Sequence, residues 1–323
     1  MSDRALVTGA YGLLGFWLVR ALLERGDEVV VVRRSPAKPS ALVLEGLERE
    51  CAVVDGDVLE PGLVEGALRE HRVGSVFHLA AQSIVGIAHV SPVPTFETNV
   101  RGAWTVLEAC RVAGVARTVV ASSDKVYGGT DVLPYTEGNA LAARYPYDVS
   151  KACTDLIARS YWHTYGLPVA VTRLANTYGG GDLNTSRLVP EAVAAVLSGR
   201  APVLRSDGSP KRDFIYVEDA VAATLHVADA LADEGGTARG EAFNGGHEPH
   251  SVLDVVEAIC RIAGVPFAPD IRGDGTPHGE FADEWMDSSR LRELTGWAPA
   301  VGLEEGLRRT VDWYRAHPEA LAG

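Results

Sequence analysis

The chain has 323 residues, 46% of them hydrophobic, and a formal net charge of −13. That length accommodates one large domain or two sharing a cleft, with apolar material for a substantial core. The acidic balance excludes a general nucleic-acid or membrane surface, so an anionic ligand must be held by local arginines and helix N-termini.

Met1–Arg4 lead straight into the first apolar run, leaving no length for a signal peptide. No apolar run approaches the roughly 18 residues of a membrane span. Cys51, Cys110, Cys153 and Cys260 are far apart and form no C-x-x-C pair, so reduced thiols and a soluble, cytoplasmic protein are expected.

In chain order, short β-branched runs alternate with helix-period segments. The first run, Ala5–Thr8, feeds Gly9-Ala10-Tyr11-Gly12-Leu13-Leu14-Gly15, which opens a helix near 13–25. Glycine there permits a tight turn, close approach of backbone to a pyrophosphate, and helix-on-strand packing. The amides of Leu13 and Leu14 then meet the anion at the positive helix end. The G-x-x-G-x-x-G spacing is one residue wider than the usual dinucleotide fingerprint. The second run, Glu28–Val32, continues into Arg33-Arg34-Ser35 with no carboxylate to grip a ribose. Arginine at that place suits a 2′-phosphate, so NADP is favoured over NAD.

Further runs follow at Ala52–Val54, Ser75–Leu79, Thr118–Ala121 and Val169–Leu174, with helices near 60–70, 97–113 and 147–165. Near-continuous apolar strands separated by helices predict a doubly wound parallel sheet over the first 175 residues, an α/β Rossmann domain. Beyond Leu174 the chain is turn-rich at 179–184, 205–210, 233–250 and 268–280, with helices near 187–199, 218–232, 252–263 and 302–315. The expected division is a dinucleotide domain of 1–175 plus about 213–235, and a smaller mixed α/β domain of 176–212 and 236–323. His247-Glu248-Pro249-His250 is read as a loop and not a metal site, because proline breaks the helix that would align the imidazoles.

Two clusters carry chemistry. Tyr147 and Lys151 are four apart on a helix and share a face. A cation beside a phenol is expected to draw its pKa down from about 10, giving a base for a hydroxyl proton. Ser123-Asp124-Lys125 ends the fifth strand, at the carboxyl edge where open α/β sheets bind ligands.

Gly9-x-x-Gly12-x-x-Gly15, His78-Leu79-Ala80-Ala81, Asn99-Val100, Ser122-Ser123, Val126-Tyr127-Gly128, Tyr147-x-x-x-Lys151 and Arg212-Asp213-Phe214 together resemble the extended short-chain dehydrogenase/reductases, the epimerase/dehydratase family, over nearly the whole chain. Within it, His78–Gln82, Ser123-Asp124-Lys125 and Gly179-Gly180-Gly181-Asp182 resemble CDP-glucose 4,6-dehydratases. Val32-Arg33-Arg34-Ser35 is similar to GDP-mannose 4,6-dehydratases, which use NADP.

The resemblance implies a nucleotide-sugar 4,6-dehydratase with a tightly bound, regenerated nicotinamide cofactor. It implies that Asp57, Val58, Leu79, Ala80, Ala81 and Asn99 join the glycine turn, Arg33, Tyr147 and Lys151 around that cofactor. Asp57 is placed to accept from the adenine amine, and Asn99 to brace the cofactor loop. Gln82, Ser123, Asn176, Arg187 and Arg212 are implied for the nucleotide-diphosphate sugar, the last three cradling the diphosphate. Tyr147 takes the C4 hydroxyl proton, Asp124 expels water from C6, and Lys125 is either the C5 base or an electrostatic stabiliser of the enolate. These roles require burial to lower Lys125 and raise Asp124, shifts that an ion pair between them opposes. Helices 97–113 and 147–165 carry Trp104, Val106, Leu107, Ile157, Tyr161 and Trp162, and related enzymes pair these helices in a homodimer. A 4-epimerase of the same fold and a catalytically silent dinucleotide sensor are the competing functions. The nucleotide base stays open.

Overall fold

Seven parallel strands form the centre of a computed structural model that describes residues 4–34, 39–130, 132–276 and 281–321. Ser35, and residues 277–280 of the expected loop 268–280, lie outside the described residues. The chain runs β1 (Arg4–Thr8), α1 (Leu13–Glu24), β2 (Glu28–Arg33), β3 (Ala52–Asp55), α2 (Leu63–Glu70), β4 (Ser75–His78), α3 (Gly102–Ala113), β5 (Arg117–Ser123), α4 (Pro146–Tyr165) and β6 (Val169–Leu174). The seventh strand is Ala242–Gly245, so part of the stretch assigned by sequence to the smaller domain completes the large sheet.

Strand order is 242–245, β6, β5, β4, β1, β2, β3. After β3 the chain returns across β1 to place β4 on its other side, which opens a crevice at the carboxyl ends of β1 and β4. Ala5, Leu6, Val7 and Thr8 are all buried, as are Val29–Val32, because helices cover both faces. Thr8 pairs with His78 across β1 and β4, and their side chains hydrogen-bond at 2.8 Å. Burial pushes His78 down to about 3, so it is a neutral tie between the strands that flank the crevice.

Past β6 a three-stranded sheet of Glu248–Ser251, Lys211–Tyr216 and Asn176–Tyr178 stands over the crevice. Helices Leu188–Leu197, Val252–Ala263 and Leu303–Ala316 pack on it around Phe214, Tyr216, Tyr178 and Leu307. The helix Val217–Ala230 instead packs on the large sheet through Val221, Ala223 and Val227. The helical stretch expected from residue 97 begins as a π turn, Glu97–Arg101, before α3. No described helix is long and apolar enough to cross a membrane.

Candidate active site

A cavity of about 820 Å³ runs from the glycine turn to Phe214. At its floor, Gly9 has a φ of +75°, and a Cβ there would sit 2.7 Å from the Leu79–Ala80 backbone. A Cβ on Gly15 would be 2.2 Å from the Gly9 carbonyl oxygen, whereas one on Gly12 would meet nothing nearer than 3.5 Å. Gly9 and Gly15 thus close the strand–helix turn, and Gly12 keeps the approach to α1 open. Gly12 is the N-cap of α1 and offers no side-chain cap, so the first amides of the helix are left for a ligand. This donor set fits a dinucleotide pyrophosphate, and Leu13, Leu14, Leu79 and Ala81 line the same cavity.

The adenine side departs from the sequence reading. Arg33 Nε and Nη2 donate to Asp55 at 2.6 and 2.9 Å, and Nη1 donates to Glu48 at 3.1 Å. Tyr11 closes the cluster by donating to Glu48 at 2.6 Å. The Arg33 guanidinium is therefore already paired with two carboxylates and is not the open cation that the sequence suggested. Asp57 accepts from the Leu59 amide at 3.0 Å and forms the turn before α2, while Val58 is buried beneath Gly102. Asn99 accepts from the Gln82 amide at 2.7 Å and donates to the Gln82 carbonyl and to Ser150, which fixes the loop after β4 against α4. Ala80 donates its amide to Thr8 Oγ1 at 3.2 Å, behind the cavity wall. Gln82, implied as a substrate ligand, spends its side chain on Ile84 and Thr95 and does not line the cavity.

Ser123, Asp124, Lys125, Tyr147 and Lys151 all line the cavity. β5 carries the first three past the sheet edge, and Tyr147 and Lys151 stand one turn apart at the start of α4. Pro146 in the first helical turn and an extended Tyr145 fix where that helix begins. Lys151 is buried and donates to the Ala121 carbonyl at 2.8 Å; burial lowers its ammonium to about 8. The Tyr147 phenol is pushed up to about 12 by burial and the nearby Asp124 carboxyl, against opposing help from Arg187 and Ser123. The expected downward pull of Lys151 on the phenol is therefore not what these residues alone produce.

Asp124 and Lys125 behave differently from one another. Burial raises the Asp124 carboxyl above the carboxylate range, with Lys125 opposing. Ser123 donates to its Oδ1 at 2.8 Å, and its buried Oδ2 has no hydrogen-bond partner among the described residues. A carboxyl raised by burial, with its second oxygen uncommitted, is the better proton donor for it. Burial acts to lower Lys125, but the carboxylates of Glu284 and Asp124 overcome it, and the ammonium is held above the ordinary lysine value. Lys125 Nζ donates to Glu284 Oε2. The shift expected of a neutral amine base is thus reversed here, and of the two readings of Lys125 this environment suits the electrostatic one.

Of the implied diphosphate ligands, Asn176 and Arg187 line the cavity and Arg212 does not. Arg187 donates to Asp182 and Ser83, both at 2.8 Å. Arg212 donates to the carbonyls of Phe281 and Ala282 at 2.7 Å and lies 3.4 Å from Glu284, tying its strand to the 281–284 segment. Sequence reasoning missed Arg205, an exposed arginine on the cavity wall, along with Phe214, Asp148 and Glu284. Asp148, beside Tyr147, is pushed up to about 7 by burial and by Glu284 and Asp124, with Lys125 opposing. A carboxylate between the two motif residues Tyr147 and Lys151 was a legible signal; Glu284, isolated in a loop, offered none.

Residues 5–245 match the model of the NAD dependent epimerase/dehydratase family. A dTDP-glucose 4,6-dehydratase of Xanthomonas campestris pv. campestris is 33% identical over 98% of this chain and 95% of its own length. The dTDP-glucose 4,6-dehydratase DesIV of Streptomyces venezuelae, solved with NAD bound, is 31% identical with a TM-score of 0.88, covering 98% of both chains. UDP-glucose 4-epimerase of Thermotoga maritima, solved with UDP-glucose, is 29% identical with a TM-score of 0.89 over 98% of this chain and 99% of that one.

Proposed function

Because this chain belongs to the NAD dependent epimerase/dehydratase family, we propose that it is a nucleotide-sugar 4,6-dehydratase, converting an NDP-hexose to an NDP-4-keto-6-deoxyhexose. The observation that carries this reading is the buried Asp124 carboxyl, raised by burial and with one oxygen unpaired, on the same cavity wall as Tyr147. A 4-epimerase needs proton chemistry only at the C4 hydroxyl. Elimination at C6 needs a second proton donor, and Asp124 is one.

A bound nicotinamide dinucleotide, held by the turn Gly9–Gly15, Leu79, Ala81 and Lys151, supplies an acceptor for the C4 hydride and its return to C6. Tyr147 receives the C4 hydroxyl proton while Ser123 orients that hydroxyl. Asp124 gives its proton to the departing C6 hydroxyl, which leaves as water, while the C5 proton passes to a solvent water and C5 regains one when hydride returns to C6; Tyr147 then gives up its acquired proton to solvent and Asp124 takes one back. Arg187, Asn176 and Arg205 receive the diphosphate or the nucleoside, since all three reach the cavity.

NAD is the cofactor of this reading, supported by the closure of Arg33 by Asp55 and Glu48. The dinucleotide unit comprises the chain up to residue 175, the helix Val217–Ala230 and the strand 242–245, and the remaining C-terminal segments, with the strand Lys211–Tyr216, bind the sugar nucleotide. A homodimer through α3 and α4 is supported by the exposure of Trp104, Leu156 and Tyr165; Val106 and Leu107, named from the sequence for that face, are buried in the core instead. A cytoplasmic setting suits the unpaired cysteine thiols.

Mass spectrometry of the purified protein with dTDP-glucose, CDP-glucose, UDP-glucose, UDP-N-acetylglucosamine and GDP-mannose tests the assignment. Loss of one water from one of these, without added cofactor, is expected. Formation of an isomer of unchanged mass would move the chain to the epimerases.

A further inference from the structure

Behind Lys125 lies a carboxylate that the reaction scheme does not use. Glu284 is fully buried, on a segment that the Lys211–Tyr216 strand holds in place: the Asp213 amide donates to the Glu284 carbonyl at 3.0 Å, and the Glu284 amide to the Lys211 carbonyl at 3.1 Å. Its Oε2 receives Lys125 Nζ and faces Arg212 Nε at 3.4 Å, while its Oε1 has no partner among the described residues. Glu284 does not line the cavity; Lys125 does. A buried carboxylate in a surface loop, placed directly behind a cavity-lining ammonium, is costly unless something requires it.

We propose that Glu284 is a positioning residue that holds Lys125 as a fixed cation at the reacting centre, so that Lys125 stabilises the enolate formed when the C5 proton passes to a solvent water and does not itself take that proton. This rests on the dehydratase reading. The charged groups around Lys125 are Asp124 beside it in the turn after β5, Glu284 on the 281–287 segment, Arg212 on the strand Lys211–Tyr216 and Asp148 on α4. The Tyr135 phenol is also influenced by Glu284 and Asp124, but burial holds it neutral. Of this set Glu284 alone contacts Nζ and lacks solvent, so it decides the charge. Deleting its charge leaves only Asp124 to oppose burial at Lys125, which shifts the amine toward its neutral form.

The chain has four lysines, Lys38, Lys125, Lys151 and Lys211, so acetylation by limiting acetic anhydride can be mapped residue by residue. Between pH 7 and 9 Glu284→Gln should acetylate at Lys125 about tenfold faster than the wild type, relative to the exposed Lys211, because the reactive nucleophile is the unprotonated amine. Its turnover should match the wild type at the acid end of the pH profile and fall about tenfold by pH 9. Glu284→Asp, which keeps the charge, should restore the alkaline side. Equal acetylation rates in wild type and Glu284→Gln would overturn the pairing. A Glu284→Gln enzyme that is faster near neutral pH, with faster solvent-deuterium entry at C5, would make Lys125 the base and overturn its role as a cation. Should Glu284→Gln not fold, the wild type alone still decides: Lys125 acetylating at the Lys211 rate at pH 9 would show that no carboxylate holds its proton. If no NDP-hexose is turned over, the dehydratase reading fails, whereas the acetylation result still decides the Glu284 contact.

Discussion

Arg173–Asp155 and Lys125–Glu284 are both buried ion pairs, yet their surroundings differ. In the first, Arg173 clasps Asp155 with two bonds of 2.8 and 3.1 Å and gives a third to the Tyr127 hydroxyl. Tyr127 in turn donates to Asn244 Oδ1 at 2.6 Å, so that the guanidinium joins α4, β6 and the seventh strand with its bonding satisfied. In the second, Glu284 keeps an oxygen unpaired among the described residues, as does the neighbouring Asp124. Buried charge is expensive unless fully paired, and a fold that only needed support would not leave two orphaned carboxyl oxygens together. The completed network supports the sheet, and the incomplete one reaches the cavity through Asp124 and Lys125, with Glu284 behind them.

The largest effect that separates the two regions is expected at Asp124. Asp124→Asn should lower water elimination on the order of a thousandfold while the fold is kept. A quenched single turnover should then show a sugar oxidised at C4 that retains its C6 hydroxyl. Full elimination by this variant would remove Asp124 from the reaction. Arg173→Met should do the opposite, costing about 3–5 kcal/mol of stability in denaturant titration by leaving Asp155 buried with only the Arg159 guanidinium, 4.0 Å away, to offset it, and with kcat per folded molecule unchanged. Were Arg173→Met to melt like the wild type, the satisfied network would not be the structural one.

The same contrast marks what the sequence disclosed. The cofactor side is legible because its parts are contiguous: Gly9, Gly12 and Gly15 lie on one turn, and Tyr147 and Lys151 on one helical face. The strands were legible for a similar reason, since burial on both faces makes each an uninterrupted apolar run. On the substrate side, contributions come from β5, α4, the Lys211–Tyr216 strand and the 281–284 loop, and no spacing rule links Lys125 to Glu284, 159 residues on. Arg33 and Arg212 show the complementary failure. Each was read as an open cation, and each is bonded within the fold, to Asp55 and Glu48 or to the carbonyls of 281 and 282. Residue type and position were right, but the partners that occupy a guanidinium are set by tertiary packing.

Lys151 sharpens the comparison from the cost side. Burial depresses its folded-state value to about 8, below the roughly 10.4 of an unfolded lysine. The charged form is therefore penalised in the fold, with the penalty complete below pH 8 and fading as pH rises toward 10. Lys151→Met should abolish turnover and yet raise stability at pH 7 by about 2 kcal/mol, a penalty of about 3 kcal/mol relieved less about 1 for the lost bond to Ala121. The gain should shrink in melts at pH 10. A variant destabilised at both pH values would place Lys151 with Arg173 among the supports.

The smallest effect is expected at the cavity mouth. Arg205 lines the wall, is exposed, and makes no ion pair among the described residues, unlike Arg187, which Asp182 already holds. An arginine kept in water by its neighbours' lack of carboxylates costs the free protein little and gains a partner only when an anion arrives. Arg205→Ala should raise KM for the sugar nucleotide about tenfold, the equivalent of one charge-assisted contact, with kcat and melting temperature unchanged. Because the contact is solvent-exposed, rising salt should narrow the difference between variant and wild type. A fall in kcat at constant KM would instead place Arg205 with the groups that act on the transition state, and the boundary between grip and chemistry would move outward from Lys125 to the cavity rim.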